Sequence, residues 1–273
     1  MPEGDTLHNL ATLLTPLVSR EVVRLEFPRG HADGSHLLGE TVDAVEARGK
    51  NLLVSFSGGS TLHVHLKMTG VVHLYADGES WRRGASQAVV ILGVKGFEAV
   101  CFKAPLVRLL RPGRLKTDRQ LRALGPDLLG AAFDAPEAIR RLRELDSLEL
   151  GVAVMTQSAI AGIGNVYKSE LLFNRKLDPF TAVSSVTDAT LAELLAHART
   201  VMQQNLIGSA LKARSSRVTR SSRDRLRNPL SVYGRLGEPC FDCGTIIRMK
   251  RQGEQQRSTY FCPSCQPSRT SER

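Results

Sequence analysis

Aromatic residues are scarce in this chain, 5% of 273 positions with a single tryptophan. Large rings therefore cannot fill the interior, and any core must be aliphatic. Uninterrupted apolar runs are missing too. No stretch reaches the roughly 18 residues that a membrane-crossing helix needs, so no membrane partner is expected. The first twenty residues carry Glu3 and Asp5 and lack a basic stretch followed by an apolar run, which argues against a secretory leader. The chain reads as soluble and intracellular. Cysteine is sparse as well, five in all, and in a reducing compartment these are metal ligands before they are disulfides.

What is present points to size and charge. A length of 273 residues with 42% hydrophobic content supports two domains, each with its own core. Lys and Arg number 37 against 27 Asp and Glu, a net charge of +10. That balance favours a polyanionic partner, with nucleic acid the leading candidate over a merely solvating surface.

Between about 20 and 112 the pattern is strand-like: "EVVRLEF", "TVDAVEA", "NLLVSFS", "TLHVHLKM", "VVHLYA", "AVVILGV", "EAVCFKA" and "LVRLLRP". Short Val-rich runs separated by glycine or polar turns predict an antiparallel sandwich or barrel. "DTLHNLATLL" ahead of them reads as a helix capped by Asp5 or Thr6. After "GPDLL" the texture turns helical, through "APEAIRRLRELD", "LGVAVMTQSAIAG", "NVYKSELLFNRK" and "VTDATLAELLAHARTVMQQNL". In the last, Leu191, Leu194, Leu195, Ala198, Val201 and Met202 recur at helical spacing. The domain boundary is placed near 115–135, and no internal repeat is evident. From Lys212 an Arg/Ser-rich run, 213–227, carries Arg214, Arg217, Arg220, Arg223, Arg225 and Arg227 with almost no apolar residue. It reads either as a solvated linker or as a segment that orders on phosphates.

"CFDCG" and "CPSC" supply Cys240, Cys243, Cys262 and Cys265 as two Cys-x-x-Cys knuckles. Four thiolates at this spacing can surround one structural Zn2+ tetrahedrally, in a zinc ribbon. Cys101 stands apart in a strand and reads as a small buried hydrophobe. Between the knuckles, "TIIRMKRQGEQQRSTYF" predicts two strands and a basic turn, with Arg248, Lys250, Arg251 and Arg257 as candidate phosphate ligands. "AGIGNVYKSELL" sets Gly162, Gly164 and Asn165 directly before a helix, which is either a tight turn or a backbone anion site. By itself Met68 reads as core, and His63 and His65, alternating on one strand, read as packing.

Taken in order, "MPEG", "RGKNLL", "HLKMTG", "AGIGNVYKSELL", "VYGRLGEPC" and the four-Cys ribbon ending "RSTYFCPSCQ" resemble the formamidopyrimidine-DNA glycosylase and endonuclease VIII family of base-excision repair enzymes. The resemblance spans roughly 1–266. It implies an N-terminal antiparallel β-sandwich catalytic domain (1–120), a helical helix-two-turns-helix domain (121–230), a zinc finger (231–266) and a flexible tail (267–273). The implied activity is removal of an oxidised base followed by cleavage of the strand by β- and δ-elimination. The partner is double-stranded DNA with an oxidised base or an abasic site. A monomeric, cytoplasmic, nucleoid-associated enzyme is the expectation.

The same resemblance assigns residues. Pro2, made N-terminal by removal of Met1, supplies the secondary amine that attacks C1′ and forms an imine. Glu3 is the acid/base carboxylate. Lys50 contacts the lesion phosphate and assists elimination, and Arg257 sits at the phosphates flanking the lesion. Met68 fills the gap left by the flipped nucleotide. Asn165 at the helix entry binds phosphate. Lys168 on the same helix and Arg122, the latter as a substitute for the family's arginine, are the further candidate DNA contacts.

Departures from the family pattern narrow the branch. "FKAPLVRLL" stands where the formamidopyrimidine branch has an "RRFG"-like segment, and the chain starts "PEG" rather than "PEL". Both favour the endonuclease VIII branch and oxidised pyrimidines over oxidised purines. Ala123 stands where an endonuclease VIII arginine is expected, with Arg122 as its neighbour, and the acid near position 6 is replaced at best by Asp5. These gaps keep a non-catalytic damaged-DNA-binding protein as the alternative, alongside a glycosylase for oxidised purines.

Overall fold

The structure is a computed structural model that describes residues 2–30, 32–207 and 230–268. Met1, the Arg/Ser-rich segment 213–227 and the last five residues of the chain lie outside the described residues. The chain divides into two compact units, 1–123 and 124–273.

The first unit is a β-sandwich with a helix at its start and a single helical turn at its end. Helix α1 (Gly4–Leu13) is followed by strands β1 (Val22–Glu26), β2 (Val42–Arg48), β3 (Asn51–Phe56), β4 (Thr61–His65), β5 (Val71–Ala76), β6 (Ala88–Val94), β7 (Phe97–Phe102) and β8 (Leu106–Leu110). They form two antiparallel sheets, ordered β1-β6-β7-β5 and β2-β3-β4-β8. Leu25, Leu92 and Cys101 from one sheet meet Val54, Leu62 and Val64 from the other in a shared core. Leu7 and Leu10 of α1, with Leu14 just beyond it, seal that core, and α1 packs on β2 and β3.

Strand β6 explains its own unbroken apolar sequence. Val90, Leu92 and Val94 belong to the sandwich core, while Ala88 and Ile91 join Tyr75, Val100 and Phe102 on the opposite face, beside Trp81. A strand buried on both faces has no reason to alternate. Cys101 is buried here, and burial pushes its thiol up to about 12. The unit ends in a single helical turn, α2 (Arg119–Arg122), capped by Asp118, which accepts from the Gln120 and Leu121 N–H groups.

The second unit contains α3 (Ala135–Arg143), α4 (Leu150–Ala153), α5 (Asn165–Asn174), α6 (Asp188–Gln204) and the hairpin of β9 (Arg248–Gln252) with β10 (Arg257–Phe261). The expected helix over "LGVAVMTQSAIAG" shrinks to the four residues of α4. Beyond it the chain turns through 154–164, with Thr156 and Gln157 bonding local backbone groups instead of continuing a helix. Gly125 belongs to the same packing, since a Cβ there would sit 2.4 Å from the Ala159 carbonyl oxygen.

Helix α5 is buried almost throughout, including Lys168, Ser169 and Glu170. A helix without a polar face must bond every buried polar group internally. Glu170 accepts from the N–H groups of Ser231, Val232 and Tyr233 at 2.8–2.9 Å, fixing the start of the finger to the helix. Tyr167 accepts from Asn205 at the end of α6. Among the described residues, no helix is long and apolar enough to cross a membrane.

Candidate active site and zinc centre

In the first unit the candidate residues sit at element ends. Pro2 directly precedes Glu3, which occupies the N-cap of α1 and is completely buried. The Glu3 backbone N–H donates to Thr6 Oγ1, and Asp5, also buried, accepts from the Thr6 N–H at 2.8 Å. A carboxyl group held at a helix start faces the positive end of the helix dipole. Threonine stands at position 6, so the nearest acid is Asp5, one residue earlier in the first turn.

Lys50 lies in the two-residue turn between β2 and β3, where Arg48 pairs with Asn51 and Gly49 takes φ +55°. A left-handed residue at the first turn position suits a tight hairpin and favours glycine. One strand away, His65 ends β4 and accepts from the Lys67 N–H. Burial, followed by the charges of Lys67 and Lys50, lowers His65 to about 4, so its ring is neutral at physiological pH.

Met68 corrects the reading as a core residue. It stands 62% exposed at the tip of the connection from β4 to β5. The tip is closed underneath by Gly70 N–H donating to the Leu66 carbonyl at 2.8 Å and by Thr69 Oγ1 donating to the Lys103 carbonyl. Lys67 adopts φ +50°, and a Cβ on Gly70 would meet Leu66 O at 2.6 Å. The "KMTG" tetrad thus makes a hydrogen-bonded loop with one large apolar side chain in solvent. Arg122 ends α2 in an exposed position, and Ala123 after it is exposed as well.

In the second unit, α5 and the hairpin bring three more candidates together. Gly162 has φ +115° and Gly164 is the N-cap of α5. Asn165 spends its side-chain donors on Ser258, on the carbonyl at 2.8 Å and Oγ at 3.2 Å. Its buried Oδ1 has no partner among the described residues. Ser258 follows Arg257, so the helix start and the finger arginine are tied along one strand. Arg257 itself is half-buried and donates to Gln255 Oε1.

Lys168 is 1% exposed, and its ammonium donates to Thr259 Oγ1 at 2.6 Å. The hydroxyl passes the chain on to Gln252 Oε1, and Gln252 Nε2 donates to the Pro179 carbonyl. Lys168 therefore stands inside the joint between α5 and the hairpin. The turn of that hairpin is Gly253-Glu254-Gln255-Gln256, so the predicted basic turn is corrected: Arg248, Lys250 and Arg251 lie exposed on β9 itself.

The four knuckle cysteines converge. Their Sγ atoms lie within 4.8 Å of one another, with Cys240 to Cys265 at 3.9 Å, Cys243 to Cys262 at 3.5 Å and Cys243 to Cys265 at 3.4 Å. A zinc ion with four Zn–S bonds of about 2.3 Å separates its sulfurs by about 3.8 Å, so the cage fits one tetrahedral Zn2+. Gln266 braces it, accepting from the Cys262 N–H and donating to the Leu177 carbonyl. Gln266, Gln252 and Glu170 were invisible to pattern reading, because a buried polar residue on an apolar face carries no periodic signal. Only the rarity of a glutamate inside "SELLF" hinted at the last.

Residues 1–104 match the family model of the formamidopyrimidine-DNA glycosylase N-terminal domain, 124–216 that of the formamidopyrimidine-DNA glycosylase H2TH domain, and 237–267 that of the zinc finger found in FPG and IleRS. A Streptomyces coelicolor protein named probable endonuclease 8 2 is 38% identical over 270 residues, covering 97% of this chain and 94% of its own. The chain belongs to the formamidopyrimidine-DNA glycosylase and endonuclease VIII family.

Members of this family are DNA glycosylases and AP lyases of base-excision repair, with a structural zinc in the finger. The Mycolicibacterium smegmatis family member named DNA-(apurinic or apyrimidinic site) lyase Nei2 is 34% identical, with 97% of this chain and 99% of that one covered. Among solved structures, the Lactococcus lactis family member bound non-covalently to DNA containing an AP site superposes with a TM-score of 0.80 at 20% identity, over 97% of this chain and 100% of that one. That likeness establishes the family fold of sandwich, helical H2TH domain and zinc finger.

Proposed function

We propose that this protein is a bifunctional DNA glycosylase and AP lyase that prefers oxidised pyrimidines in duplex DNA. Glu3 carries the reading: a fully buried carboxylate immediately after Pro2, at the start of α1. No structural demand of a helix start requires a glutamate there, since Ser, Thr, Asp or Asn would cap it as well. A shielded carboxylate beside a secondary amine suits proton transfer to and from a sugar.

After Met1 is removed, the Pro2 nitrogen attacks C1′ of the damaged nucleotide while the base leaves, and Glu3 protonates the opening sugar ring at O4′. The resulting C1′ imine acidifies the C2′ protons. Loss of one expels the 3′ phosphate, and a second elimination expels the 5′ phosphate. Lys50, on its tight turn, steadies the phosphate that leaves, and Met68 occupies the gap in the stack once the nucleotide is extruded. Extrusion costs a few kcal/mol, part of which a restacking side chain offsets.

Arg257 and the start of α5 grip the flanking backbone. Because the Asn165 amide is spent on Ser258, the phosphate contact at that helix start falls to backbone N–H groups. The preference for pyrimidines is supported by the "FKAPLVRLL" stretch and by relatives bearing the endonuclease 8 name. Double-stranded DNA bound by a monomer is part of the same proposal.

Borohydride trapping on duplex DNA with an oxidised pyrimidine, followed by peptide mapping, tests this. An adduct on the N-terminal Pro2 peptide is the expected result. Trapping on an abasic site without trapping on the oxidised pyrimidine would overturn the lesion class. Absence of both adducts would leave a damaged-DNA-binding protein.

A further inference from the structure

A line of polar side chains crosses the sheet β2-β3-β4-β8. Asn51 begins β3, 3% exposed, and its Nδ2 donates to the Arg48 carbonyl across the Gly49-Lys50 turn at 3.0 Å. Asn51 Oδ1 meets His63 Nε2 at 2.9 Å. On the other side of the ring, His63 Nδ1 meets Arg108 Nη2 at 2.8 Å, and Arg108 closes a two-pronged pair with Asp118 at 2.9 and 3.1 Å. Asp118 caps the turn of helix that ends in Arg122.

The chain has only one consistent direction. A guanidinium can only donate, so His63 Nδ1 must be the bare, accepting nitrogen and Nε2 must carry the proton. Nε2 then donates to Asn51 Oδ1, which leaves the Asn51 amide facing the Arg48 carbonyl as donor. Every link is thereby assigned, and no link can be reversed without setting two donors against each other.

Stability does not call for this arrangement. The strands pair through their own backbone registers, and well-packed apolar side chains stabilise a core at least as well as a buried polar chain. What a directed chain supplies is a fixed geometry at its end. Its end is the carbonyl on one side of the turn whose next residue but one is Lys50.

We propose that Asn51, His63 and Arg108 are positioning residues that set the turn carrying Lys50 and thereby govern the elimination step rather than DNA affinity. The inference rests on the reading of Lys50 as the residue that assists elimination.

The test is a double-mutant cycle on the full-length, zinc-loaded, Met-processed protein. Single-turnover strand cleavage of abasic-site duplex is measured beside DNA affinity and thermal melting for Asn51→Ala, Lys50→Ala and the double variant. Asn51→Ala is expected to slow cleavage about tenfold, as small misplacements of a reacting group do, with affinity essentially unchanged. In the Lys50→Ala background the same change is expected to add nothing, because a residue that acts through Lys50 has no effect once Lys50 is gone.

Arg108→Met, at the half-exposed far end, should slow cleavage in the same direction and carries the test should Asn51→Ala fail to fold. Normal cleavage by Asn51→Ala beside slow cleavage by Lys50→Ala overturns the inference alone. Additive losses in the double variant overturn it too. Normal cleavage by Lys50→Ala overturns the reading of Lys50 beneath it.

Discussion

In the proposed function single residues carry the chemistry, and the most exacting is Glu3. Glu3→Gln keeps size and shape at the start of α1 while removing the proton-transfer group. It should lower the single-turnover rate of base excision by about 10²- to 10⁴-fold, the usual worth of a positioned acid or base. Circular dichroism should be unchanged, and a near-normal rate would move the acid elsewhere. His63 and His65 offer a second residue-scale expectation. Both rings titrate near 4 instead of 6.5: His63 through burial and the Arg108 charge against an opposing contribution from Asp118, His65 through burial, Lys67 and Lys50.

The unfolded chain takes up these protons near pH 6.5, whereas the folded protein resists them until about pH 4. Stability is therefore full above 6.5 and declines as pH falls toward 4, by up to the order of 2 kcal/mol per ring. Thermal melts between pH 7.5 and 4.5 should show the decline, and His63→Gln should flatten it. At this scale the sequence was legible wherever chemistry is tied to a motif. The knuckle cysteines could be read directly from their spacing. The Asn51-His63-Arg108-Asp118 chain could not, because its members are separated along the sequence and meet only through strand register.

Secondary-structure elements decide how those residues are presented. The eight strands of the sandwich could be read from short Val-rich runs, and β6 could be read although it does not alternate, because length and flanking turns marked it. Helix α4 could not be bounded, since its apolar sequence continues into turns held by Thr156 and Gln157 side chains. Apolarity alone, which reads Met68 as core, fails for a related reason. Hydrophobicity says that a side chain would prefer burial, but the backbone bond from Gly70 to Leu66 decides that it points outward.

Gly70→Ala forces a Cβ against that carbonyl and should displace the tip, lowering base excision about tenfold or more while abasic-site cleavage falls less. Equal losses on both substrates would argue against a role in extrusion. The finger offers the matching test on the other unit. Zinc in such a cage contributes on the order of 10 kcal/mol to local folding. Chelation should strip hydrogen-exchange protection from β9 and β10 while leaving the sandwich amides protected. Protection surviving in the hairpin would show that Gln252 and Gln266 hold it without the metal.

At the scale of the whole molecule, charge is the organising quantity. With a net charge of +10, binding to DNA should weaken steeply with salt, and each neutralised phosphate contributes a slope of about −0.9. Replacing Arg248 and Arg251, both exposed on β9, by glutamine should reduce the slope by up to about two such steps. An unchanged slope would remove β9 from the DNA contact. The overall class of partner was legible from composition, and the division into sandwich, helices and ribbon from changes in texture along the chain. The joint inside the second unit was not legible, because it consists of Lys168, Glu170 and two glutamines that look like ordinary surface residues in sequence.

The closed loop beneath Met68 has a consequence for how such a protein would search. If Met68 inserts as proposed, a probe that is already folded pays no ordering cost at each encounter and would press on every base pair it passes with the same stiffness. The time spent at each step would then be set by how readily that pair opens, and weakened pairs would select themselves by yielding first.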